Sequence, residues 1–290
     1  MLTRSLLWVF LGFVVSRAAL VSVPAAADGQ AEDFLNQAKS AYERGEKEQA
    51  LSLAQKAIEA DPKNPQGYYF RARLHDALKQ YEKALADYGE VLDRNRNAKE
   101  VNQARGVVHF KLGHIQEAIA DWDRLIQLDS SRAPYHWQRG IAYYYAGRYA
   151  EGRRQFELHQ TVNPNDVENA VWHFLCVARS ESVKKARESF IPIERDSRVP
   201  MKQVHALFAG QGNATDVLAA AQAGASSAEE LKDRLFYAHL YLGLYHEALG
   251  ETKRAKEHLL KAAQDYAADH YMGDVARVHV KLRTDTWTKE

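Results

Sequence analysis

His239 and His246 stand seven residues apart, a spacing that puts both on roughly one face of a helix, where two imidazoles could begin a metal site. The rest of such a site is missing. No H-E-x-x-H occurs, and the twelve histidines are scattered without a Cys/His cluster at ligand spacing. A packed or surface histidine is the better reading of His239, which occupies an aromatic place in its helix. Asp121 and Asp123 flank Trp122 as paired carboxylates for acid–base work would, yet on a helix they read more simply as a solvated face. Gly210-Gln211-Gly212 is only superficially a phosphate-cradling loop, because no strand precedes it. The sole cysteine, Cys176, reads as a small buried apolar residue, and one cysteine makes no internal disulfide. Neither a nucleophile elbow nor a P-loop is present. No catalytic residue, metal, cofactor or small-molecule substrate is expected.

The residues that do recur belong to packing. Pro62, Arg96, Ser130 and Pro164 lie 34 apart, and each closes a segment of one design. Units beginning at Ala31, Pro65, Lys99 and Ala133 follow without insertion. The second carries Tyr68, Ala72, Tyr81, Ala84 and Tyr88; the third Gly106, Gly113, Ala118 and Trp122; the fourth Gly140, Tyr143, Gly147 and Phe156. This is the tetratricopeptide-repeat (TPR) pattern of two helices per 34 residues. Gly or Ala at the eighth place and Ala at the twentieth let paired helices approach closely. Gly45, Gly113 and Gly147 end first helices in a left-handed turn. Pro62 and Pro164 stop second helices.

The pattern predicts an all-α fold of TPR helix-turn-helix repeats stacked into a right-handed α-α superhelix. Residues 31–166 make four units and 167–198 a degenerate fifth, broken at Ile191-Pro192 and Val199-Pro200. An irregular helical spacer covers 199–227, with short helices near 201–209 and 214–222. A terminal unit occupies 228–267, where Leu242-Gly243, Ala255 and Leu259 restore the pattern. A capping helix and tail take 268–290, with Val275, Val278 and Leu282 at helical spacing.

In this geometry certain first-helix positions point into a concave groove, the place for a protein or peptide partner. Unit two contributes Tyr69, Arg73 and Asp76, unit three Gln103, Phe110 and Lys111, and unit four Trp137 and Tyr144. The wall starts mixed and turns apolar along the array, and so large an apolar patch needs a cover. In units four to six the chain's own later helices are expected to supply it. In the groove of units two and three a partner segment is expected.

Composition excludes other classes. The formal charge is +1 with both signs interleaved, so no basic surface for nucleic acid is expected. At the start, Arg4, an apolar run over 6–15 and the small residues Ala25-Ala26-Ala27 form the pattern of a leader, residues 1–27, cleaved near Ala27. The product would be periplasmic or secreted, the alternatives being an uncleaved membrane anchor or a transit peptide.

Taken together, leader, TPR units, spacer and terminal unit resemble the bacterial envelope family of NlpI (new lipoprotein I). The likeness is best at Trp172-His173-Phe174-Leu175, at 204–210 and at 236–263 with its Tyr241-Leu242-Gly243-Leu244-Tyr245 core. It implies a non-catalytic scaffold or adaptor of the cell envelope, a homodimer, and clients such as a peptidoglycan hydrolase or a processing protease. No lipobox cysteine follows the leader, so no lipid anchor is expected. The alternative is a structural, oligomer-forming scaffold without a client enzyme.

Overall fold

The computed structural model describes residues 25–287. The leader expected over 1–27 therefore lies outside the described residues, apart from its last three, which open the first helix. The chain divides into two compact units, one running through Lys63 and the other starting at Asn64. In the first, α1 (Ala25–Glu43) and α2 (Lys47–Ala60) pack antiparallel on small side chains. Ala38, Ala41, Ala50 and Ala54 are completely buried, and a seam of alanines lets two backbones approach closely.

The second unit repeats that hairpin. Its helices are α3 (Pro65–Ala77), α4 (Tyr81–Arg94), α5 (Lys99–Leu112) and α6 (Ile115–Leu128), then α7 (Trp137–Tyr145), α8 (Tyr149–Gln160) and α9 (Val167–Ser180). Asn64 caps α3 by accepting from the Gln66 N–H, and Pro65 occupies the first turn, where a missing N–H costs nothing. The fourth first-helix does not start at Ala133. Residues Ser130–Tyr135 form a 3-10 turn, and α7 is only nine residues long. Pro134 sits inside that turn with no N–H to donate to a helical ladder, and α7 begins only after it.

Within each pair a residue without bulk faces a large ring. A Cβ on Gly106 would stand 2.5 Å from Trp122 Nε1, and one on Gly140 would stand 2.7 Å from Phe156. Ala72 and Tyr88 hold the same two places in the preceding pair, both buried. The aromatic thus fills space within its own hairpin as well as at the junction to the next.

Beyond α9 the repeat degrades. Its partner α10 (Val183–Glu188) stops after six residues, and irregular chain with Pro192 and Pro200 leads to α11 (Met201–Phe208) and α12 (Ala214–Gln222). These two do more than space the array. Met201, Val204, Phe208 and Val217 are fully buried, and the helices pack on α9 and on α13 (Ala228–Ala248). α13 pairs with α14 (Thr252–Leu260), which runs into a π-turn at Lys261–Asp265. α9 is buried from Val167 to Val177 on nearly every side, as a helix apolar all round must be.

The last helix, α15 (Tyr271–Trp287), packs against α14 and also turns back onto α5. It is more than an end cap. No helix among the described residues is long and apolar enough to cross a membrane.

Candidate protein-binding groove

The helix pairs are held in register by a polar ladder. Arg71 grips Asp87 (2.7 and 2.5 Å) and Arg105 grips Asp121 (2.8 and 2.6 Å), each with two nitrogens on two oxygens. Arg139 donates to Gln155 and Asp123, which also accepts from the Tyr143 hydroxyl. Asp121 is buried, so the reading of Asp121 and Asp123 as a solvated face is corrected: Asp121 ties α5 to α6 within one pair, and Asp123 ties α6 to α7 of the next. The signal was in the sequence, since Arg71, Arg105 and Arg139 are themselves 34 apart, as are Asp87, Asp121 and Gln155.

On the inner wall, Tyr69 is half-buried with its ring 6.1 Å from that of Tyr88. Arg73 is exposed and has no ion-pair partner among the described residues. Asp76 is held by the Lys111 ammonium at 2.6 Å, a bond from the third repeat to the second, and the same ammonium lies over the Tyr81 ring. Gln103 pairs through its side chain with His136 Nε2 at 2.7 Å, and its carbonyl accepts from Trp122 Nε1.

The remaining three wall residues are taken by the chain itself. Phe110 is completely buried, stacked on Tyr271 of α15 at 5.3 Å between centroids. Trp137 is half-buried and meets Tyr271 edge-on at 5.0 Å. Tyr144 is buried among Tyr145, Tyr149 and Trp172. Burial pushes the Tyr144 and Tyr145 hydroxyls well up, and Tyr145 Oη sits 3.0 Å from His279 Nδ1. At the end of α5, Lys281 Nζ donates to the Leu112 carbonyl at 2.8 Å. Self-coverage was expected from unit four onward. It begins one repeat earlier, at Phe110, because α15 is long enough to reach α5.

The histidine pair is also resolved. His239 Nδ1 meets His258 Nδ1 at 2.8 Å, while His246 pairs with Glu251 at 2.7 Å. Among the described residues no group of three or more His, Cys, Asp or Glu is disposed to hold a metal. Cys176 is buried against Gly152, and burial pushes its thiol up, away from the reactive thiolate. An ionic cluster that the sequence reading did not find joins α9 to α13. Arg198 donates to Glu168, Asp166 and Asp196, and the Tyr241 hydroxyl donates to Glu168 at 2.6 Å. Residues so far apart in sequence carry no periodic signal.

Helix pairs of this design define an all-α fold built from TPR hairpins. Residues 35–100 and 104–165 match the tetratricopeptide-repeat family model, and these two stretches are tetratricopeptide repeats. No curated protein sequence matches the chain. Among solved structures, MamA is 16% identical with a TM-score of 0.51, covering 55% of this chain and 87% of its own. YrrB, described as a TPR protein with an unusual peptide-binding site, is 22% identical at 0.52, covering 57% and 84%. A TPR protein from Parabacteroides merdae is 20% identical at 0.50 and covers 88% of this chain and 84% of its own. Identities this low speak for the fold.

Proposed function

We propose that this protein is a non-catalytic scaffold of the cell envelope that holds a peptide segment of a partner against the open inner wall of α3 and the start of α5. One observation carries the reading: α15 fills the groove from Phe110 onward, while Tyr69 and Arg73 stay uncovered by it. Arg73 offers a planar fork of donors without a carboxylate, and Tyr69 a ring face beside it, so the fitting segment carries an acidic group next to an apolar one. YrrB, with its peptide-binding site, has the same fold. Export through the leader pattern, homodimerisation, and presentation of a peptidoglycan hydrolase or protease follow from the NlpI resemblance and are part of the proposal.

The test is a peptide-display selection against the chain without residues 1–27, followed by titration of the selected peptides. Acidic peptides should emerge, and Arg73→Ala or Tyr69→Ala should weaken them at least tenfold. Peptides that bind both variants as well as the parent would overturn the reading. Absence of binders together with a stable higher oligomer by light scattering would favour the structural scaffold without a client.

A further inference from the structure

A cavity of about 290 Å³ opens beside the ionic cluster, between α7, α9, α13 and the start of α15. It is separate from the wall at Tyr69 and Arg73. The volume is at the small end of ligand pockets, which run from roughly 300 Å³ upward.

Its walls are aromatic. Trp137, Trp172, Tyr237 and Tyr271 line it, with Trp137 and Tyr271 set edge to face. Ring faces attract cations through the quadrupole of the π-system. Its floor is polar and incompletely satisfied. Trp172 is 1% exposed and its Nε1 has no hydrogen-bond partner among the described residues. Asn169 is 3% exposed; its amide nitrogen is spent on the Phe156 carbonyl and Gln160, which leaves Oδ1 unpartnered. The Tyr271 hydroxyl is also buried without a partner. His270, also in the lining, has its Nε2 buried without a hydrogen bond, 3.5 Å from Asp233 Oδ1. Buried polar groups left unpaired cost about 1–3 kcal/mol each, so four in one lining call for something to bond them.

The charge selects the ligand. Asp166, Glu168 and Arg198 line the cavity, and the one guanidinium is shared among Asp166, Glu168 and Asp196. Two of the three carboxylates around that single guanidinium line the cavity, so an anion would be repelled and a cation drawn in. Burial pushes Glu168 up to about 7, and a seated cation would supply the counter-charge it lacks. Water could bond the orphaned atoms and the carboxylates, but it carries no positive charge to balance the carboxylate excess or to sit on a ring face.

We propose that this cavity binds a small organic cation, an ammonium on an aromatic or compact apolar body that also carries an oxygen. The ammonium would lie between the rings and Glu168, and the oxygen would accept from Trp172 Nε1 or Tyr271.

The experiment uses three isosteres that differ in charge: tyramine, the neutral tyrosol and the anionic 4-hydroxyphenylacetate, with choline as a compact cation. Each is titrated into the chain without residues 1–27 by calorimetry and followed by thermal shift. At least one of tyramine and choline should bind and raise Tm. Tyrosol should bind at least tenfold more weakly than tyramine, and 4-hydroxyphenylacetate should not bind. Glu168→Gln, which keeps the carbonyl acceptor for Tyr241, should weaken the cation at least tenfold. Trp172→Phe, which keeps an aromatic ring and removes the donor, should weaken tyramine severalfold. Acidic peptides selected on the Arg73 wall should bind the Glu168→Gln variant as they bind the parent. Failure of both cations, or equal affinity for tyramine and tyrosol, would overturn the proposal. So would a correctly folded Glu168→Gln variant that binds the cation like the parent.

Discussion

Tyr271 at the start of α15 lies stacked on Phe110 of α5, with ring planes 22° apart. One side chain belongs to the last helix and the other to the third repeat. Their contact means that the middle of the groove is part of the protein's own core rather than a vacancy for a client. Trp137 closes over the same tyrosine from the fourth repeat, so one ring joins three elements.

Tyr271→Ala should therefore act on the groove more than on the repeats. Deleting an aromatic ring from a packed site costs about 3–5 kcal/mol, and a half-buried tyrosine belongs at the lower end. The variant should bind a hydrophobic dye at Phe110 and Trp137 while keeping its helical circular dichroism. Solenoid stability is a sum over neighbouring pairs, so α3 and α4 should stay folded. A dye-silent variant with parental stability would mean that α15 does not cover this wall.

Helix contacts should be far less forgiving than the open wall. A methyl group on Gly106 would enter the Trp122 ring, so Gly106→Ala should cost about 1–3 kcal/mol in urea unfolding. Exposed Arg73 has no such neighbour, and Arg73→Ala should stay within about 0.5 kcal/mol. Equal losses would show that the register of inner and packed faces is misassigned.

The turn of the second repeat offers a gain. Gly45, Gly113 and Gly147 take a left-handed φ at one repeat place, and Lys79 takes it too, at φ 58°. A side chain there costs about 1–2 kcal/mol, which outweighs the roughly 0.5–1 kcal/mol of backbone entropy that glycine brings. The Lys79–Asp269 pair, exposed on both sides, is worth little. Lys79→Gly should raise stability by about 0.5–1 kcal/mol, and a fall in the urea midpoint would contradict this.

Acid should unfold the protein well above the carboxylate range. Burial holds His136, His239 and His258 down to about 4, and lowers His75, His109 and His173 as well. A depressed histidine binds fewer protons folded than unfolded, so its contribution is complete above about 6.5 and drains away as pH falls toward 4. Glu168 has the opposite sign: raised to about 7, it favours the folded state as pH falls through 7. Six histidines against one glutamate leave the acid loss dominant. Tm should fall steadily from pH 6.5 to 4.5, and a flat profile over that window would refute the assignment.

Much of the architecture was legible in the residues. The 34-residue phase placed the hairpins because small side chains at Ala72, Gly106 and Gly140 and rings at Tyr88, Trp122 and Phe156 are demanded by contacts within one hairpin. The phase predicted the first four pairs except the start of α7, where Pro134 imposed a local rule of its own. The Arg–Asp ladder was equally periodic and was passed over, since two aspartates flanking a tryptophan look solvated until Arg105 and Arg139 are seen to reach them. The wall was only half legible. Repeat geometry assigned residues 69, 73 and 110 alike to the wall and carried no sign that Phe110 is buried under Tyr271.

What the sequence determined by itself was whatever depends on neighbours within one repeat: helix type, hairpin turns, close-contact positions and the all-α class. What only the tertiary structure decided was which apolar wall remains open. That depends on where α15 comes to rest, on the meeting of Phe110 with Tyr271, and on the convergence of Glu168, Arg198 and Tyr241 around a cavity. The physical reason is range. Repeat contacts join residues at a fixed, short separation and leave a period in the chain, whereas a helix folding back over distant repeats makes each contact once and leaves none.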